Sequence, residues 1–90
     1  MEREELARAL VRAFDADPAV ARVVARQATD LADSGQLERD LDVALSVDTV
    51  CSNLEDAPDE YSLRERWNWW VGSLSVTHDG YDRFAVRRLD

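Results

Sequence analysis

The sequence predicts an α+β fold that is mainly α: three to four helices packed as a small bundle, then a C-terminal β-hairpin. Three observations carry this. Apolar residues recur at helical spacing through most of the first seventy positions, helix-capping residues stand at the expected boundaries, and Asp79–Gly80 lies between two short alternating segments. The alternative is an all-α bundle in which the last helix runs on. Ninety residues make one domain, 1–90, able to bury only about 60–65% of the surface of its unfolded chain.

The first helix is expected near 2–14, with Leu6, Leu10, Val11 and Phe14 on one face. Glu2, Glu4 and Glu5 open it and Arg8 and Arg12 follow, an order that suits the helix dipole and allows a Glu4–Arg8 pair. The turn "DADP" ends it. Asp17 is then an N-cap and Pro18 a first helical residue for a helix near 18–34, whose stripe is Val20, Val24, Ala28 and Leu31 and whose C-cap is Gly35. So short a connection predicts that these two helices pair. A third helical segment is expected near 37–56 on Val43, Val47, Val50 and Leu54, with a weak point near Ser46–Asp48. The acidic "EDAPDE" reads as an exposed loop. Ser62 and Glu65 have capping-box spacing and start a helix near 62–71 on Leu63, Trp67, Trp70 and Val71, ended by Gly72.

The hairpin is expected near 73–88. A three-residue loop, Asp79–Gly80–Tyr81, pairs His78 with Asp82 and sets Val76 opposite Phe84 and Leu74 opposite Val86 on one face. The other face then carries Ser73, Ser75 and Thr77 against Arg83, Ala85 and Arg87, and a slip of one residue destroys the separation.

All three tryptophans fall within four positions, "WNWW" at 67–70. Trp67 and Trp70 share a helical face and read as core. Trp69 lies about 200° round the helix from Trp67, among the polar neighbours Arg66, Glu65 and Ser73. Either the hairpin folds back over it or it meets a partner, and tryptophan is enriched among interface hot spots. An interaction surface is therefore expected at Trp69, Arg66, Ser73, Arg83 and Arg87, with the hairpin edge offering a route to a dimer.

Motifs for chemistry are missing from the sequence. There is no glycine-rich phosphate loop, no nucleophile elbow and no zinc-protease motif. His78, beside Asp79 and Asp82, is the one histidine and reads as a solvated turn residue. Cys51, the one cysteine, reads as a small apolar side chain, with Asp48, Glu55 and Asp56 opposing its ionisation. The acidic pairs lack EF-hand spacing. The expectation is a non-enzymatic interaction or regulatory protein with no catalytic residue, metal or cofactor, whose partner is a second copy or another protein.

Helices followed by a hairpin also suggest a winged-helix nucleic-acid binder, with Arg83 and Arg87 on phosphate. Arg64, Arg66 and Arg88 complete the positive clusters read from the sequence. Against this, Asp40, Asp42, Asp48 and Glu55 stand on the third helical segment, the nearest thing to a recognition helix. The plainer reading pairs these arginines with carboxylates.

The formal charge is −8, made of eleven arginines, no lysine, twelve aspartates and seven glutamates. Arginine is weakly hydrated and forks onto carboxylates. Self-repulsion at such a net charge largely vanishes at about 1 M salt, where the screening length is about 3 Å. This composition resembles that of small acidic haloarchaeal proteins, in style rather than by motif, and the resemblance implies a cytosol of molar salt. A single cysteine suits a reducing compartment. With no apolar run long enough to span a bilayer and no signal-peptide pattern in "MEREELARAL", the expected location is cytoplasmic.

Overall fold

A computed structural model describes residues 1–87, and every regular element in them is a helix. The order is α1 (Arg3–Phe14), α2 (Pro18–Ser34), α3 (Gln36–Leu41), α4 (Val47–Glu55), α5 (Leu63–Thr77) and a 3-10 turn, Asp82–Phe84. The α+β expectation is thus wrong and the all-helical alternative is what the chain adopts.

The capping residues do what their chemistry predicts. The Asp17 carboxylate accepts the Ala19 N–H at 2.8 Å, with Pro18 at the first helical position. Gly35 closes α2 in the left-handed conformation, φ 69°, and its N–H donates to Ala32 O. Ser62 and Glu65 form a complete capping box at the start of α5. At α1 the cap is Glu2, whose carboxylate accepts from the N–H groups of Glu4 and Glu5.

The third helical segment is two helices. Asp42 takes a left-handed conformation, φ 56°, after α3, and Ser46 caps α4 by accepting the Thr49 N–H. Asp, Ser and β-branched residues compete poorly for helix interiors, so the chain breaks where they cluster. Val43, expected in the buried stripe, is exposed as a result, while Val50 and Leu54 are fully buried.

The hairpin fails because α5 does not stop at Gly72. Leu74 continues the stripe of Leu63, Trp67, Trp70 and Val71 and is buried with them. Gly72 faces solvent, and a Cβ built there meets nothing within 4 Å. Glycine costs about 1 kcal/mol in a helix, and burying Leu74 offsets this by about 2 kcal/mol. The chain does reverse at Asp79–Gly80, with Gly80 at φ 95°. Beyond the turn comes the 3-10 turn and then an extended strap, residues 85–87, that lies against α5. Phe84, at the end of the 3-10 turn, and Val86, on the strap, reach the core, but Val76 is 84% exposed instead of facing Phe84 across a ladder. The wing of the winged-helix alternative is therefore not formed. Arg88, included in the expected hairpin, lies outside the described residues.

One core joins all the elements. Leu6, Leu10, Val24, Leu31, Val50, Leu54, Trp67, Tyr81 and Val86 sit in a single buried cluster. The pairing of α1 with α2 is the most extensive, and α5 packs on both α2 and α4. No helix among the described residues is long and apolar enough to cross a membrane.

Candidate functional site

The side chains of α5 grip the strap. Trp67 is fully buried, and its indole Nε1–H donates to Phe84 O at 2.8 Å. Asn68 makes two bonds to one residue: its Oδ1 accepts the Val86 N–H at 2.8 Å and its Nδ2 donates to Val86 O at 2.9 Å. A carboxamide presents a donor and an acceptor side by side, as a neighbouring β-strand would, so Asn68 stands in for the missing strand partner. Arg64, one turn earlier, adds bonds from Nε to Val86 O and from Nη2 to Arg87 O. Trp70 packs edge-on against Trp67 with ring centroids 5.5 Å apart.

A second joint ties the turn to α3. Gln36 is buried; its Nε2 donates to Asp79 O at 2.9 Å and its Oε1 accepts from Arg83 Nη2 at 2.8 Å. Tyr81 is fully buried except for the hydroxyl bond that it donates to Asp40 at 2.9 Å. Burial first, then that bond and the Asp40 charge, push its phenol up to about 12.

Residues 67–70 therefore hold three roles in four positions: Trp67 and Asn68 clasp the strap, Trp70 braces Trp67, and Trp69 lies at the edge of the core. Residues 1–75 match the family described as the WNWW domain, and the tetrapeptide stands within the match. The chain belongs to the WNWW domain family. No curated protein and no solved structure matches it.

The expected interaction residues of this WNWW domain part company. Trp69 is half-buried against the core, on the rim of a shallow depression formed with Tyr61, Arg64 and Glu65. Ser73 is exposed one turn further along, its hydroxyl donating to Trp69 O. Arg66 turns towards the end of α4, where it donates to Leu54 O, Asp59 O and Tyr61 O and lies over the Phe14 ring at 5.0 Å. Arg83 reaches Gln36 and stacks on Phe84 at 4.7 Å. Arg87 is exposed, and its own carbonyl is held by Arg64. Trp69 and Ser73 share the outer face of α5, but no hairpin face gathers Ser73, Arg83 and Arg87. Arg64 and Arg66 also bond to carbonyl oxygens, not to the carboxylates with which pairing was expected.

The outer face of α5 has one member that sequence reasoning missed. Val76 follows Trp69 and Ser73 at i+7 and i+3, and among the described residues it is the most exposed large apolar side chain. The signal was present in its helical spacing from Trp69, hidden by assigning Val76 to a strand.

Among the described residues no group of three His, Cys, Asp or Glu side chains converges as a metal site. The His78 Nδ1 lies 2.9 Å from Thr77 Oγ1. Cys51 is half-buried on α4, and desolvation, then Glu55 and Asp48, raise its thiol pKa.

Proposed function

We propose that this WNWW domain is a non-enzymatic interaction or regulatory module that self-associates through the outer face of α5. The supporting observation is Val76, 84% exposed on the helical face that also carries Trp69. Gly72 and Ser73 stand midway between the two and add little bulk. In a two-fold antiparallel pairing of α5 with its copy, they lie at the axis, and each Trp69 covers the partner copy's Val76. The interface is then isologous, with two indoles and two valines removed from water.

The medium belongs to the same proposal. Two copies at −8 each repel in dilute salt, and molar KCl removes that barrier while strengthening apolar contacts. The lysine-free, aspartate-rich composition supports a cytoplasm of that kind, as in haloarchaea.

Light scattering across KCl concentration tests the reading. The expected result is a dimer in molar KCl that dissociates on dilution of the salt, and a monomer at all concentrations for Val76→Asp. A monomer in molar KCl, with Trp69→Ala and Val76→Asp scattering as the parent does, refutes it.

A further inference from the structure

The acidic chain carries a basic groove that lies away from α5. Between α1 and α2 runs an open groove whose two halves share Glu4, Ala7 and Arg22. Arg8 and Arg12 line one half, Arg3 and Arg26 the other. Five arginines and one glutamate give the groove +4, so the remainder of the chain carries −8 − 4 = −12. All five arginines are exposed. The arginine side chains that donate hydrogen bonds within the described residues are Arg39, Arg64, Arg66 and Arg83, none of them in this set. Among the described residues the groove arginines thus donate no hydrogen bond, in a chain that has nineteen acidic side chains. The floor between them is apolar: Ala7 is buried, and Val11 and Val23 are half-buried.

We propose that this groove docks an acidic amphipathic segment of a partner protein, with apolar side chains on the Ala7–Val11–Val23 floor and carboxylates forked onto the arginine rim. Two features choose this occupant. Guanidinium groups match carboxylates in bidentate pairs, and such contact pairs persist at salt concentrations that screen long-range attraction. A phosphate backbone would use the arginines but has no need of the apolar floor, and the −12 on the rest of the surface repels it. The groove shares no residue with the α5 face, so either surface can fail without the other.

The probe is a fluorescein-labelled helical peptide of about 15 residues, with leucines at i, i+3, i+4 and i+7 and aspartate or glutamate between them. Its binding is read by anisotropy from about 0.2 M to about 3 M KCl. Saturable binding is expected, at least about tenfold weaker for Arg22→Glu, the loss of one charge-assisted pair. Arg8→Glu and Val11→Asp should weaken it as well, Val76→Asp should not, and the exposed arginine variants should melt as the parent does. The proposal is overturned if the peptide does not bind, if Arg22→Glu binds it equally well, or if a lysine-for-acid version binds as tightly. It is also overturned if a labelled single-stranded DNA binds the same groove more tightly than the peptide, or if Arg22→Glu dissolves an oligomer of the protein alone, which would make the occupant a second copy.

Discussion

Asn68→Ala isolates the clasp between α5 and the strap. Val86 is buried, and Asn68 is the partner of its N–H, at 2.8 Å; the Val86 carbonyl keeps Arg64 at 3.2 Å when the carboxamide is removed. The cost is therefore chiefly that of one orphaned buried donor plus one lost bond, about 2 kcal/mol. For a domain of this size that lowers the melting temperature by about 8–16 °C. Asn68→Asp is the graded control. It keeps the acceptor for the Val86 N–H, loses the donor to Val86 O, and places its charge near Arg64, so about half the loss is expected, about 1 kcal/mol. Thermal unfolding followed by circular dichroism in molar KCl gives the stability, and hydrogen exchange at the Val86 amide gives the local effect. In Asn68→Ala that amide should lose protection beyond the global change, while amides in α2 follow the global change alone. If Asn68→Ala melts within about 0.5 kcal/mol of the parent, as an ordinary surface substitution does, and the Val86 amide stays protected, the clasp does not hold the strap.

Three further outcomes are expected. Tyr81 has its phenol raised from 10.0 to about 12, so the protonated hydroxyl stabilises the fold fully below pH 10 and this contribution disappears between pH 10 and 12; alkaline unfolding monitored at the tyrosinate absorbance should show the loss, and Tyr81→Phe should remove that step. Gly80→Ala should destabilise by about 1–3 kcal/mol in urea unfolding, because φ is 95° and the added Cβ stands 3.0 Å from Gln36 Nε2. Arg66→Lys keeps the charge but loses the fork that spans Leu54 O, Asp59 O and Tyr61 O, and should cost about 1.5–3 kcal/mol by thermal melt; an unchanged melt would mean that the fork does not hold the 56–62 loop.

What the sequence made legible is local. Asp17–Pro18, Gly35 and the Ser62–Glu65 box fix their helix ends through atoms two or three residues away, and residue chemistry suffices to read them. The hairpin misled for a physical reason. Leu74, Phe84 and Val86 do face the core, as the alternating register requires, but a helix end followed by a strap satisfies the same three positions, and Val76 alone tells the two apart. The bonds that decide the matter reach across 17 or 18 residues, from Trp67 and Asn68, or across 43 and 47, from Gln36. No spacing rule sees these. Of the candidate site, Trp69 and Ser73 stay together because one helix carries both. Arg83 and Arg87 were joined to them only through a strand pairing that does not exist. The arginine groove went unread although all its members sit on helices that were foreseen, because it exists only once two helical faces are laid side by side.

The clasp on the strap makes its hydrogen bonds to carbonyl oxygens and one amide, and to no side chain of residues 84–87. It therefore specifies a route and is indifferent to much of the lettering along it. Arg87, which is exposed, can be exchanged widely without loosening the hold, whereas Ala85 packs against the core, and proline at position 86, which has no N–H to give, cannot be accommodated. The course of this tract over α5 is thus set by backbone bonds to the tryptophan and asparagine, and its lettering is constrained only where a side chain enters the core.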